Sequence, residues 1–372
     1  MRASKTYNKL RTGYTTGLCA AAAAKAAATA LLSEQPVGRI EIAAANGELA
    51  RFEILDAVII DGEAKCSVKK DAGDDPDVTN GVKIFASVRK TDTGQIEIEG
   101  GEGVGVVTKP GLKVPVGRAA INPGPMKMIE TAVKGVCEQF SFSGGMRVVI
   151  SIPGGAEIAK RTMNERLGVV GGLSILGTTG IVEPMSENAV IETIKTEIDV
   201  LAASGSNHLI ITPGNYGKNF AKEIFGHDAD TAVKCSNYIG VTLDYACSTG
   251  IGHITIVGHA GKLVKLAGGI MNTHSGIADC RMEIIAAHCA LAGADKAFIG
   301  KIMDCATVEA AVALMLRTGI NGIVWESIGK KIGYHLRERI KKHSEHNRNE
   351  TEMEYVVFTV EHGILTRAST ST

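Results

Sequence analysis

Residues 11–19 form a turn rich in glycine and hydroxyl groups, Arg11-Thr-Gly-Tyr-Thr-Thr-Gly-Leu-Cys19, which runs straight into residues 20–30, where nine of eleven are alanine. Alanine is the best helix former, yet it buries little surface of its own. A helix this bare is useful only where another backbone or a ligand comes very close. Thr15, Thr16 and Gly17 are of the type that caps a helix start, where free N–H groups point outward and attract anions. Two readings stay open: a capped core helix built for close packing, or a helix end that cradles an anionic group.

The chain has 372 residues, a length that suggests two or three domains. Lys+Arg and Asp+Glu are equal at 40 each, which argues against a general nucleic-acid binder. Aromatic residues are 4%, too few for base-stacking platforms. The 44 glycines fall in short loops rather than in a linker, as in an α/β enzyme with many backbone-lined turns. The eight cysteines include no C-x-x-C and sit mostly in apolar runs, which predicts free thiols and a cytoplasmic setting. Arg2, Lys5, Lys9 and Arg11 before an apolar stretch imitate a signal peptide. Lys25 interrupts that stretch, and alanine is only weakly hydrophobic, so neither a signal nor a membrane span is expected.

Alternation and apolar runs predict strands at 39–43, 51–60, 64–69, 82–90, 95–99 and 147–152, with helices at 19–32, 125–140 and 156–166. Pro125 suits a helix start. Half-buried alternation such as Gln95-Ile-Glu-Ile-Glu99 indicates antiparallel pairing and an α+β first domain. The rhythm then changes. A helix at 187–204, strands at 208–212, 238–243 and 253–257, and a helix from the 213–217 loop to about 225 lead on to helices at 276–292, 307–317 and 320–342. A strand at 355–360 follows. Strand–loop–helix alternation predicts a parallel sheet with helical cover, whose ligands bind beyond the C-terminal strand ends. The domains are expected at 1–186 (α+β) and 187–372 (parallel α/β). Residues 341–352 read as a solvated surface loop.

Gly101-Glu-Gly-Val-Gly105 has the glycines of a dinucleotide loop but no helix after it, so a tight turn or a substrate-facing loop fits better. Gly258-His-Ala-Gly-Lys262 is too short for a P-loop. It nevertheless opens a polar stretch containing Lys262, Lys265, Asn272-Thr-His-Ser-Gly276, Asp279 and Arg281, which suits a binding site. Asp71-Ala-Gly-Asp-Asp-Pro-Asp77 does not fit an EF-hand. It is either a solvated acidic turn or a source of a general base. His253, His259 and His274 lack metal-ligand spacing, and no G-x-S-x-G elbow is present.

Taken together and in order, these segments, with Lys109-Pro-Gly111, Ile121-Asn-Pro123, Asn164-Glu-Arg-Leu-Gly168, Ile175-Leu-Gly-Thr-Thr-Gly180, Pro184-Met-Ser186 and Pro213-Gly-Asn-Tyr-Gly217, resemble the cobalt-precorrin-5B C(1)-methyltransferase family of anaerobic cobalamin biosynthesis. The resemblance covers nearly the whole chain. It implies methyl transfer from S-adenosylmethionine to carbon 1 of a cobalt corrinoid, with cobalt present only as part of the substrate. It also implies a first domain like a permuted ribosomal protein S5 domain 2 and a small parallel α/β second domain.

From loop position, Asp71, Asp74 and Asp75 are the candidate bases. The adenosylmethionine site is expected at Thr212, Gly214, Asn215, Tyr216 and Gly217, helped by Gly177 and Thr178. Charge-assisted bonds to substrate carboxylates are expected from Arg161, Arg166, Lys262, Lys265 and Arg281. Thr15 and Thr16 would cradle one carboxylate, and His259 and His274 would face the substrate. Partners beyond the corrinoid would be a second copy of the chain and neighbouring pathway enzymes in transient handover; no nucleic acid, membrane or resident metal is expected. Two other readings remain: an ATP-dependent small-molecule kinase, since S5-like domains occur there too, and a non-catalytic corrinoid carrier.

Overall fold

The computed structural model describes residues 10–226, 231–347 and 351–369. The chain divides into two compact units, Met1–Ser186 and Glu187–Thr372. Both are mixtures of helices and strands.

In the first unit a strand β1 (Gly13–Tyr14) leads into helix α1 (Thr16–Ser33), capped by the Thr15 hydroxyl, which accepts from the Leu18 amide at 3.2 Å. Strands β2 (Arg39–Ala43) and β3 (Leu49–Glu53) pair as a separate antiparallel hairpin. Strands β4 (Asp56–Ile60), β5 (Glu63–Lys69), β6 (Lys83–Thr91) and β7 (Ile96–Gly100) follow. After β8 (Val106–Val107) come helix α2 (Pro123–Gln139) and strand β9 (Gly145–Ser151). The main sheet runs in the order β4-β5-β6-β9-β7; the expected antiparallel pairing holds except at β7, the Gln95–Glu99 segment, which pairs parallel to β9 because alternation reports a half-buried face and not strand direction. Alternate residues such as Ala64, Cys66, Val68, Ile84, Ala86 and Val88 point into the core. Helix α1 packs against α2 and against β5 and β6. With contacts on several sides, only methyl-sized side chains leave room for it. Its eighteen residues are long and apolar enough to cross a bilayer by length and composition, and 78% of that stretch is buried inside the protein, as in a core helix. The unit ends with the short helix α3 (Gly155–Ala159), β10 (Val169–Val170) and β11 (Ile181–Val182), which pair with β8 and β1 respectively.

In the second unit helix α4 (Glu187–Ala203) precedes β12 (His208–Thr212), α5 (Asn215–Phe225), β13 (Val233–Lys234), α6 (Ile239–Ser248) and β14 (His253–His259). Helices α7 (Ala260–Leu263), α8 (Arg281–Leu291), α9 (Lys296–Met303), α10 (Val308–Arg317) and α11 (Asn321–Asn347) lead to β15 (Glu352–Thr359) and β16 (Gly363–Ser369). The sheet order is β13-β12-β14-β15-β16, parallel apart from β16.

Several expectations change. Residues 238–243 are not a strand but lie mostly in α6: Ile239, Leu243, Ala246 and Cys247 are buried at helical spacing, visible only over a window longer than six residues. The 51–60 segment breaks at 54–55 into two strands. The helix expected over 156–166 stops at Ala159, because Asn164 is buried with its amide donating to the Gly172 carbonyl. Helix α9 and strand β16 were not expected. The run read as a loop at 341–352 continues α11 through Asn347, and residues 348–350 lie outside the described residues, as do Arg2, Lys5 and Lys9.

Candidate functional site

In the second unit the C-terminal ends of three parallel strands converge on a crevice of about 480 Å³ lined by Tyr216, His259, Thr307, Glu309, Val360 and Glu361. Tyr216 follows β12 in the first turn of α5, His259 ends β14, and Val360 and Glu361 follow β15. Open parallel sheets bind ligands at this edge, where loops leave the strands and the backbone is least committed. Tyr216 is 69% exposed, offering a ring face to the crevice.

His259 is held from both sides. Its Nδ1 accepts the Gly261 amide at 3.1 Å, and its Nε2 lies 2.5 Å from Oε1 of Glu309. Phe358 packs edge-on beneath the ring, and Phe220 stacks on Phe358 at 3.9 Å between centroids. An acceptor Nδ1 places the proton on Nε2, facing the carboxylate. Thr307 caps α10 by accepting from the Ala310 amide.

At the end of β12 the Thr212 hydroxyl is fully buried and makes no hydrogen bond among the described residues. Gly217 faces it across a gap where a Cβ would lie 3.0 Å from Thr212 Cβ and 2.7 Å from the Val257 carbonyl. Gly214 is extended and precedes Asn215 at the helix start. A buried hydroxyl without a partner is costly in a finished core and is commoner where a ligand completes the site.

The lysines of the polar stretch serve the loops. Lys262 donates to the Pro213 carbonyl at 2.7 Å and to Asn237 at 2.8 Å, and burial pushes its ammonium below the ordinary lysine range. Lys265 is buried; it donates to the carbonyls of Thr273 and Ala278 and so closes the 269–280 loop. Arg281 makes two bonds to Asp279, whose carboxyl is thereby held below its usual range. None of the three is an uncommitted surface cation. His274 is exposed, with Nδ1 accepting from the Gly276 amide and Nε2 without a hydrogen-bond partner among the described residues.

In the first unit the cap of α1 is also closed over. Thr16 Oγ1 accepts from the Leu176 amide and lies within bonding distance of the Ser174 and Leu176 carbonyls. The Gly17 amide donates to Leu176, and the Thr15 amide to Gly180. Gly177 sits at φ 123°, where a Cβ would collide with Thr15 at 2.4 Å, and Thr178 lies beside Gly124. The 174–180 segment is therefore a lid of backbone over the helix start. Its carbonyls accept from the Thr15 and Gly17 amides, so the segment gathers Thr15, Thr16, Gly177 and Thr178 at the helix start.

The acidic turn is cross-linked rather than free. Asp71 pairs with Arg11 at 2.5 Å, which with the Gly73 amide holds its carboxyl low. Asp74 accepts the Arg11 amide and Asp75 the Met185 amide at 3.1 Å. Asp77 binds the buried Lys70 at 2.7 Å. Gly101–Gly105 is a tight crossing: at Gly103 a Cβ would overlap the Ile152 carbonyl at 1.9 Å. Arg161 is exposed and Arg166 half-buried on the segment before β10.

The crevice thus unites the expected Tyr216 and His259 with four residues that sequence reading missed. Val360 and Glu361 had a usable signal, since they follow the last parallel strand. Glu309 had none.

The second unit, a mostly parallel sheet covered by helices with a crevice at its strand ends, is of the α/β class. Residues 3–184 match the family model described as CbiD, and residues 272–369 match that described as CbiD, C-terminal domain. The chain is 51% identical over 335 residues to the cobalt-precorrin-5B C(1)-methyltransferase of Ruminiclostridium cellulolyticum, covering 90% of this chain and 87% of the relative. The protein of that name from Alkaliphilus metalliredigens is 41% identical over 97% of this chain and 93% of its own. That of Methanocaldococcus jannaschii is 44% identical over 90% and 91%. Among solved structures, the cobalamin biosynthesis protein (cbiD) from Archaeoglobus fulgidus is 32% identical, with a TM-score of 0.40 over 73% of this chain and 84% of that one. The chain belongs to the CbiD family of methyltransferases of cobalamin biosynthesis.

Proposed function

We propose that the chain transfers the methyl group of S-adenosylmethionine to carbon 1 of cobalt-precorrin-5B, giving cobalt-precorrin-6A and S-adenosylhomocysteine. The observation that carries this reading is the crevice at the ends of β12, β14 and β15, with the unpaired Thr212 hydroxyl at the same sheet edge. Its residues fit the donor. Tyr216 and Val360 offer surface to a purine, Thr307 and Thr212 offer hydroxyls, and Glu361 and Glu309 favour a sulfonium or ammonium cation. When bound, the donor supplies an electrophilic methyl: its S–C bond breaks, the electron pair returns to sulfur, and a new C–C bond forms at the ring carbon. Holding the two centres in line is worth roughly 7–11 kcal/mol in well-oriented cases.

Of the three aspartates, Asp71 is tied to Arg11 by two bonds and Asp74 to the Arg11 amide, whereas Asp75 carries a single bond from a backbone amide. Asp75 is therefore our choice for the carboxylate that takes a proton from the macrocycle. Lys262, Lys265 and Arg281 hold loops in place, and His259 orients the crevice wall. His274 Nε2 is the imidazole nitrogen left facing outward, available to the substrate. A five-stranded sheet covered by α1 and α2 suits the permuted S5-like arrangement that the resemblance implies, and buried free thiols suit a cytoplasmic enzyme.

Incubation with methyl-labelled S-adenosylmethionine and cobalt-precorrin-5B tests the reading. Label in the corrinoid is expected. Tight corrinoid binding without turnover would instead make the chain a carrier, and ATP consumption would make it a kinase.

A further inference from the structure

The first unit carries a surface that the crevice of the second unit does not use. Strands β8 and β10 pair antiparallel, with Val107 opposite Val169 and Val106 opposite Val170. One pair faces inward and forms a small core with Val114 and Ala120. The other faces out: Val106 is 42% exposed and Val170 50%, and Val116 on the neighbouring loop is 56% exposed. Registered valines left in water on a ribbon whose other face is fully packed form an apolar platform.

The loops that run from this ribbon are cationic. Residues 106–118 carry Lys109, Lys113 and Arg118 and no carboxylate; residues 160–166 carry Arg161 and Arg166 against Glu165, with Lys160 paired to Glu157. The two loops are bound together, since Thr108 donates to the Gly168 carbonyl from both its amide and its hydroxyl, and Lys109 Nζ reaches the Arg166 carbonyl. Elsewhere in the described first unit, Arg11, Arg39, Arg51, Arg89 and Arg147 each meet a carboxylate. Among the described residues Arg118 and Arg161 meet none, and both are exposed on these loops. Guanidinium groups left without partners suit an anionic ligand that binds several of them at once.

We propose that the β8–β10 ribbon and its two loops are the docking platform for the corrinoid, with the valines against the flat ring and Lys109, Lys113, Arg118 and Arg161 on its peripheral carboxylates. This rests on the methyltransferase reading for the identity of the ring. Charge complementarity fixes the occupant: neither 106–118 nor 160–170 contains an aromatic residue, so a nucleic acid would find phosphate contacts but no stacking.

The test uses the full chain and two commercial corrins, dicyanocobyrinic acid with a free carboxylate periphery and dicyanocobinamide with an amidated one. Wild type should bind the acid in preference to the amide, more weakly as salt rises. The double variant Arg118→Glu/Arg161→Glu should bind the acid at least about tenfold more weakly, with unchanged melting temperature and unchanged affinity for S-adenosylhomocysteine. Equal binding of both corrins by wild type, or undiminished binding of the acid by the double variant, overturns the platform. Methyl transfer is scored separately. A wild type that binds the acid through these arginines yet transfers no methyl group would overturn the enzymatic reading and leave the platform standing.

Discussion

His259 and Glu309 meet at 2.5 Å across fifty residues of sequence, and the Gly261 amide occupies the other ring nitrogen of the histidine. The ring is fixed as the tautomer that donates to Glu309. It has no free nitrogen with which to ligate cobalt or accept a substrate proton, so its part in the crevice is structural and electrostatic. Glu309→Ala frees the ring and removes a carboxylate from the wall. Affinity for S-adenosylhomocysteine should fall about tenfold, the order of one charge-assisted hydrogen bond, while Glu309→Gln keeps part of it. Calorimetric titration of both variants checks this; unchanged affinity in the alanine variant would remove Glu309 from the donor site.

The Thr212 hydroxyl gives a test with two opposed readouts. Thr212→Val exchanges an unpaired buried hydroxyl for a methyl of similar shape. The ligand-free protein should become up to about 1 kcal/mol more stable, seen as a higher melting temperature. If the hydroxyl serves the donor, affinity for S-adenosylhomocysteine drops in the same variant. A gain in stability with no loss of affinity would show that the hydroxyl is merely unsatisfied.

Lys70 is almost wholly buried and Asp77 is its counter-ion. Burial alone would push the Asp77 carboxyl up, but Lys70 and Thr79 outweigh it and the net shift is downward. The folded state therefore binds fewer protons than the unfolded one. This contribution is complete above the unfolded value of about 4 and disappears as pH falls through the lower folded value. Asp77→Asn should cost about 3 kcal/mol near neutral pH, because a buried ammonium loses its charge partner. The gap between wild type and variant should close in acid. Denaturant unfolding at several pH values measures it; a gap that widens below pH 4 would contradict the assignment.

Helix α1 predicts an asymmetry between small and large. Ala27 is fully buried in the helix that packs on both α2 and the sheet. Ala27→Leu should destabilise the protein by about 2 kcal/mol through overpacking, although leucine is a good helix former. A neutral effect in thermal unfolding would mean that the helix has slack around it.

Thiol labelling reads burial directly. Burial pushes the thiols of Cys19 and Cys235 up to about 12 and those of Cys66 and Cys289 to about 11. Cys280 is exposed and Cys305 half-buried. In the native protein at pH 8 an aromatic disulfide reagent should label Cys280 fast and Cys305 slowly, and the buried thiols only after denaturation. Rapid labelling of Cys19 would contradict the burial of α1.

Much of the fold was legible because it depends on local pattern. The alternation at Gln95–Glu99 and the apolar run at 208–212 announced strands, and the alanine run announced a helix. Residues 238–243 misled because an isoleucine-, valine- and threonine-rich window imitates a strand until the buried positions beyond it are known. In the crevice, Tyr216 and His259 followed from strand-end logic, whereas Glu309 is reached only by a helix returning over the sheet edge.

The alanine helix draws the same line most clearly. A helix over 19–32 with capping residues before it could be read from the chain alone, because propensity and capping act within a few residues. Only the tertiary structure decided what came close. The backbone of 174–180 closes over the cap and accepts from the Thr15 and Gly17 amides, and the bare flanks of the helix face α2 and the sheet. Those partners lie far away along the chain, and no local pattern records which segment will satisfy a helix's free N–H groups.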